Sequence, residues 1–263
     1  MLLVALGAGV GAVEATPAPA AAALKLRVLV HCSLTGPVFS VRRIFEQQHP
    51  GLTVLLDFYC SDNVAEKMRQ PETRPDVYAS IGKVETELAV GYGLAEPKAA
   101  TPFGRFPVVL TAPRSRLQGV TRLEDLAKPE VKLILLPALE ASSLGACAKS
   151  ALLSLGLWDK VAGKVQYRPT VMECHRGLVE GKADASFAYI GYPISADPAK
   201  AEFSKVVAVQ TVDDSLFGGA LACGTVLKTT ALPGEAAEFV RFLATPEVGA
   251  LLATIGLVPL EAR

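Results

Sequence analysis

The sequence predicts an α/β protein built on mostly parallel sheets with helices on both faces. Three observations carry this expectation. Short β-branched and aliphatic runs alternate with stretches of helical periodicity from Leu26 to Thr254. Gly156 and Gly181 stand where two of the helical patterns stop. The chain has 263 residues, 51% hydrophobic and 20% charged, enough for one large or two modest domains with real cores.

The alternation begins at Leu26–Gly36, LRVLVHCSLTG, whose apolar part has the composition of a buried strand. It stops in His31-Cys32-Ser33, and Val38, Val41, Ile44 and Phe45 then recur at helical spacing. A buried strand that passes into a helix through a small polar loop is where an open α/β sheet holds a ligand. The carboxyl ends of the strands face a crevice there, and the helix start offers unpaired N–H donors. Leu52–Phe58 is a second strand and Val64–Met68 opens a helix. Asp76–Ser80 is a short third strand before a helix from about Val84 to Gly91, and Phe106–Ala112 is a fourth. Leu123–Leu126 begins a short helix, Lys132–Leu136 is a strand, and Leu144–Leu155 and Val171–Glu180 are helices. Ala185–Ile190 is again a strand, Leu216–Leu227 is strand-like, and Glu235–Leu243 and Pro246–Thr254 are the closing helices.

The 26 basic and 26 acidic residues balance, and no basic run carries interleaved aromatics, so nucleic-acid binding has no electrostatic support. Aromatics are scarce, which does not suggest a carbohydrate or flat-ring site. Met1–Val13 is apolar and glycine-rich, Val13-Glu14-Ala15 offers small residues at a cleavage point, and Thr16–Ala23 is a Pro/Ala linker. Residues 1–25 therefore read as a signal peptide and linker, although no positive charge precedes Lys25. Export to the periplasm or beyond is the expectation, and no segment qualifies as transmembrane. Five cysteines leave at least one thiol outside any intramolecular disulfide.

A family resemblance follows from motifs in order. Ser33-Leu34-Thr35 after the first strand, FEQQHPGLTV (Phe45–Val54), DVYAS (Asp76–Ser80), LGLWD (Leu155–Asp159), GKADA (Gly181–Ala185) and Thr245-Pro246-Glu247 all take part. The chain resembles the periplasmic substrate-binding proteins of molybdate and tungstate ABC importers, of the type II two-lobed kind, from Leu26 to Pro259. The resemblance implies lobe 1 at 26–105, lobe 2 at 106–215, and a return to lobe 1 at 216–263, with the ligand cleft between lobes. It implies a monomer that captures a small ion and docks on an ABC permease, with no cofactor and no catalysis. By position it implies hydroxyl donors at Ser33, Ser61 and Tyr189 and backbone donors at Leu144 and Val171, which would hold an oxyanion without a cation. For Ser33 and Ser61, simple helix capping is the competing reading.

The loops also depart from that family's small, inert residues. Val30-His31-Cys32-Ser33 forms the first, Tyr59-Cys60-Ser61-Asp62 the second, and Glu173-Cys174-His175 follows Val171. Asp62 beside a dianion would be repelled by about 1 kcal/mol or more, so either it turns away to cap the helix near Asn63 or the ligand is not a dianion. His31, Cys32, Cys60, Asp62, Cys174 and His175 together are a donor set for a thiophilic metal or metalloid such as copper, zinc or arsenite. No short ligand spacing supports this, so any such site would be assembled from separate loops. Cys32 and Cys60 end what would be neighbouring strands and could instead form a disulfide. Cys147 and Cys174 read as small core residues or a second bridge, Cys223 as core, and His49 as a surface turn residue. A thiol-dependent enzyme using Cys32 or Cys60 with His175 is a minor alternative.

Overall fold

The computed structural model describes residues 24–60, 64–191 and 205–260. The leader expected over 1–25 thus lies almost wholly outside the described residues, as do Ser61 and Asp62. Two five-stranded sheets organise the rest. The first takes β1 (Leu24–His31), β2 (Leu52–Tyr59), β3 (Val77–Ile81), β4 (Thr101–Phe106) and the late strand β10 (Ala220–Val226), in the order β2-β1-β3-β10-β4. The second takes β5 (Val108–Pro113), β6 (Ile134–Pro137), β7 (Val165–Arg168), β8 (Ala185–Tyr189) and β9 (Val206–Thr211), in the order β7-β6-β8-β5-β9.

The first strand is apolar from Val28 to Val30 because both of its faces are covered there. Leu26, Val28 and Val30 enter the main core with Val38, Val41 and Phe45 of helix α1 (Pro37–Gln48). Leu29 points the other way, into a cluster with Tyr59, Met68 and Tyr78. Helix α2 (Val64–Arg69) closes that second face, and α3 (Lys83–Gly91) follows β3. Helices α4 (Ser143–Ser154), α5 (Trp158–Val161) and α6 (Val171–Val179) belong with the second sheet, and α7 (Pro233–Leu243) and α8 (Pro246–Ala253) return to the first. The stops at Gly156 and Gly181 are Schellman ends. Leu157 and Lys182 donate back to the carbonyls of Leu152 and Gly177 at 2.8 and 2.9 Å.

The α/β class and the two lobes are as expected, but the sheets are mixed rather than mostly parallel. β2-β1-β3 and β7-β6-β8 are parallel trios. To each, a strand reached by crossing between the lobes adds antiparallel: β10 beside β3 and β5 beside β8. A chain that leaves one sheet and re-enters from the other lobe arrives reversed, which short-range periodicity does not encode. The crossings run from β4 to β5 through Pro107 and from β9 to β10, and an ion pair of 2.9 Å between Arg105 and Asp214 ties them together. His49 does more than turn the chain. It stacks on Phe45 at 3.9 Å between ring centres and reaches Glu238 of α7 at 3.1 Å, so it fastens α1 to the C-terminal helices. Among the described residues, no helix is long and apolar enough to cross a membrane.

Candidate functional site

The carboxyl ends of both parallel trios face each other, and their loops make the junction between the lobes. From the first sheet come His31 at the end of β1, the turn Cys32–Leu34, Tyr59 and Cys60 after β2, and Gly82 after β3. From the second come the start of α4, the start of α6 and Tyr189 at the end of β8. The crevice beyond strand ends in open α/β sheets is a recurrent ligand position. Several contacts bring the two sides together. The His31 ring meets the Tyr189 ring at 5.9 Å and the Tyr59 ring, edge-on, at 5.3 Å. The Val84 N–H donates to Ser143 Oγ at 2.7 Å. A side chain on Gly191, just past β8, would lie 3.6 Å from the Ser33 carbonyl.

The junction's main polar contact involves a residue that the sequence did not single out. Glu85, in the first turn of α3 and fully buried, accepts the Ser143 backbone N–H at 3.0 and 2.9 Å through its two carboxylate oxygens. Ser143 is the first residue of α4, and the Ser142 side chain does not cap that helix. A carboxylate from lobe 1 therefore takes the anion-favouring helix start of lobe 2. Burial pushes Glu85 up to about 7, outweighing the Ser143 hydrogen bonds that favour its charged form. The only signal in the sequence was position: Glu85 lies four residues before buried Ala89, on the inner stripe of α3.

Of the oxyanion donors expected, Ser33, Leu144 and Tyr189 fall at this junction. Ser33 is buried in its turn, and its N–H donates to His31 Nδ1 at 3.1 Å. Burial lowers His31 to about 4, so its ring is neutral and accepts that bond. Leu144, fully buried, is the second residue of α4. Tyr189 is buried, and its hydroxyl has no hydrogen-bond partner among the described residues. That hydroxyl lies 3.4 Å from where a Cβ on Gly82 would stand. Val171 opens α6 at the same edge of the second sheet, after the cap Thr170, whose Oγ1 accepts the Glu173 N–H at 3.1 Å.

Of the donor set for a soft metal, Asp62 lies outside the described residues. Among the described residues, no three His, Cys, Asp or Glu side chains converge as a metal site. Cys174 is buried in α6, with burial raising its thiol to about 12, and His175 beside it is half-buried. Cys147, half-buried against the core, is raised to about 12 in the same way. Cys223 is buried in β10 and borders a cavity of about 480 Å³. That cavity draws Lys83, Thr86, Glu87 and Val90 from α3 but not Glu85, and it reaches the lobe junction at Gly82. Cys32 and Cys60 do meet, Sγ to Sγ at 3.5 Å, one step beyond the paired residues His31 and Tyr59. The hydrogen bond they share, and then burial, hold the Cys32 thiol far above its usual range, opposite to what a thiolate nucleophile needs. Incubation with oxidised glutathione is expected to remove two hydrogens from the protein, and peptide mapping should place the new disulfide at Cys32–Cys60. Mapping it elsewhere would contradict the strand-end pairing.

Two lobes joined by two crossings, with strand ends and helix starts meeting between them, define a two-lobed α/β binding protein. A model of the bacterial extracellular solute-binding protein family matches residues 26–258, and the chain belongs to that family. It is 28% identical over 164 residues to YvgL of Bacillus subtilis (strain 168), whose name places it among ABC transporter substrate-binding lipoproteins. The match spans 62% of this chain and 62% of the length of that relative. The fold is similar to the periplasmic molybdate-binding protein of Azotobacter vinelandii, with a TM-score of 0.70 at 18% identity over 90% of this chain and all of that one. It is also similar to the sulfate-binding protein SubI of Mycobacterium tuberculosis H37Rv, with a TM-score of 0.68 at 17% identity over 90% of this chain and 88% of that one. At these identities the likeness concerns the fold.

Proposed function

We propose that this chain is the capture component of an ABC importer and that it takes a small tetrahedral oxyanion, molybdate-like in charge and shape, between its lobes. Lobe 1 is residues 26–105 with 216–263, lobe 2 is 106–215, and the crossings at Pro107 and after β9 are the hinge. The reading rests chiefly on the Tyr189 hydroxyl, buried beside the start of α4 and without a hydrogen-bond partner among the described residues. A buried donor left without a partner is costly, and an oxyanion oxygen would satisfy it. The family match and the oxyanion-binding proteins that share the fold support it. Ser33 and Tyr189 supply hydroxyl donors, with Ser61 from the loop after β2, and Leu144 and Val171 supply backbone N–H groups. Closure couples to capture because only the closed lobes let both sets reach one ligand.

A thermal-shift panel of molybdate, tungstate, sulfate, arsenite, Cu(I) and Zn(II), with and without reductant, tests the ligand class, because a ligand of the folded state raises the melting temperature. A shift with an oxyanion regardless of reductant supports the reading. Ser33→Ala and Tyr189→Phe should each weaken oxyanion binding about 10- to 100-fold, the loss of one hydrogen bond to a charged group. Unchanged affinity in both would remove this cleft as the site. The close Cys32 and Cys60 thiols favour one second reading, a two-thiol site for arsenite or Cu(I). It predicts a shift with those species alone, and only in the reduced protein.

A further inference from the structure

We propose that Glu85 is a built-in competitor for the anion site: its carboxylate holds the start of α4 in the empty protein, and an incoming oxyanion takes that place as Glu85 binds one proton from solvent. The inference rests on the oxyanion reading above and adds to it a proton linkage and a residue that sets the working pH. Three features of the junction carry it. Both Glu85 oxygens face the Ser143 N–H, the backbone group adjoining the Leu144 N–H assigned to the ligand. The residue reaches across from lobe 1, so the contact joins the same two surfaces that a ligand would bridge. The buried Tyr189 hydroxyl at the same junction has no hydrogen-bond partner among the described residues.

A carboxylate and a dianion cannot share one helix start cheaply. Two negative charges a few ångströms apart repel by about a kcal/mol or more even at an effective dielectric of ~20. Protonation of Glu85 removes that repulsion and turns the residue from competitor into a neutral neighbour. The groups around it leave Glu85 as the titrating member of the cluster near neutrality. Tyr59 of β2, Tyr78 of β3 and Tyr189 of β8 are all pushed well above their usual range by burial. Cys147 of α4 is raised to about 12 and Cys223 of β10 to about 11, whereas His31 of β1 stays neutral down to about 4. On α3 itself, Lys83 and Glu87 are exposed and pair with each other at 3.8 Å. Burial holds Glu85 at about 7 against the Ser143 hydrogen bonds, and among the described residues it makes no ion pair.

The test is titration calorimetry of the mature protein with molybdate and with sulfate from pH 6 to 9, neither ion taking up a proton itself in that range. Wild-type affinity should fall about tenfold per pH unit above pH 7, the slope of one linked proton. In buffers of different ionisation enthalpy, the heats should report uptake of up to one proton per anion. Glu85→Gln, which keeps the acceptor for the Ser143 N–H, should bind at least as tightly as wild type at pH 6 and show no slope. Binding by Glu85→Gln where wild type binds nothing would also support the competition. An affinity independent of pH, or a slope unchanged in Glu85→Gln, overturns the inference and leaves oxyanion capture standing. No binding of either anion by either protein across the range overturns both.

Discussion

Replacing Gly82 with alanine is expected to destabilise the protein by on the order of 3 kcal/mol and to prevent the two lobes from closing in their present form. Gly82 joins β3 to α3 with φ +84° and ψ 172°, a region of backbone space that is essentially glycine-only and costs other residues about 1–3 kcal/mol. A Cβ there would also overlap the Cβ and Oγ of Ser143. Relief by separating the lobes gives up the Val84–Ser143 and Ser143–Glu85 hydrogen bonds, each contributing roughly 1 kcal/mol net. Gly51→Ala is the matched control, because Gly51 also has positive φ, +91°, but nothing lies within 4 Å of its missing Cβ. Urea melts should show Gly82→Ala the more damaged, with a loss of ligand affinity that Gly51→Ala lacks. Equal damage would mean that the contact across the lobes contributes nothing beyond backbone strain.

The second large effect is a pair of opposite pH dependences that cancel in the wild type. Glu85 is raised from 4.5 to about 7 in the fold, so the native state holds a proton that the unfolded chain has lost. Its contribution is fully present below pH 4.5 and is lost as pH rises through 7, at about 1.4 kcal/mol per pH unit. His31 is lowered from 6.5 to about 4, so here the unfolded chain holds the extra proton. Its contribution is present above pH 6.5 and is lost as pH falls through 4, at the same slope of about 1.4 kcal/mol per unit with the opposite sign. Between pH 4.5 and 6.5 the two slopes offset each other. In that window Glu85→Gln should become more stable with rising pH relative to wild type, by about 3 kcal/mol across it. His31→Asn, whose amide oxygen can still accept the Ser33 N–H, should become less stable with rising pH by a similar amount. Denaturant melts at four or five pH values give both difference curves, and parallel curves for all three proteins would refute both assignments.

The strands that the sequence missed share one physical property. β4, β7 and β9 are all sheet edges, and an edge need not be apolar on both faces. β4 reads Thr-Pro-Phe-Gly-Arg-Phe, with Pro102 tolerated at an edge and Gly104 making room for the Leu257 side chain. β7 is Val-Gln-Tyr-Arg and largely open to solvent. β1, β3, β6 and β8, paired on both sides, were legible as short apolar runs. The junction divides similarly. The family resemblance pointed to Ser33, Leu144 and Tyr189 by position, and the structure puts all three at the junction, at strand ends or a helix start. Glu85 was not legible, because a glutamate in a short helix ordinarily faces water, and only the approach of the second lobe buries it. The cluster of thiols and imidazoles looked like one site because the loops were close in type. In space, His31 turns to its own turn's backbone and Cys174 into the core of the second lobe.

The place of β10 bears on how the chain can reach this structure at all. Its two neighbours, β3 and β4, precede it by more than the length of the second sheet's whole segment, and among the described residues β4 has no other strand partner. The second sheet, drawn from residues between Val108 and Thr211, is complete in sequence before β10 begins. During synthesis it can assemble first, whereas β1, β2 and β3 wait with the inner edge of β3 open. Closing that long loop is an entropic cost due before any of its contacts form, so it belongs among the slow steps. A chain stopped before Ala220 would keep the β3 edge unpaired, a template for another copy's strand, so β10 acts as the lock that guards the first lobe against self-association.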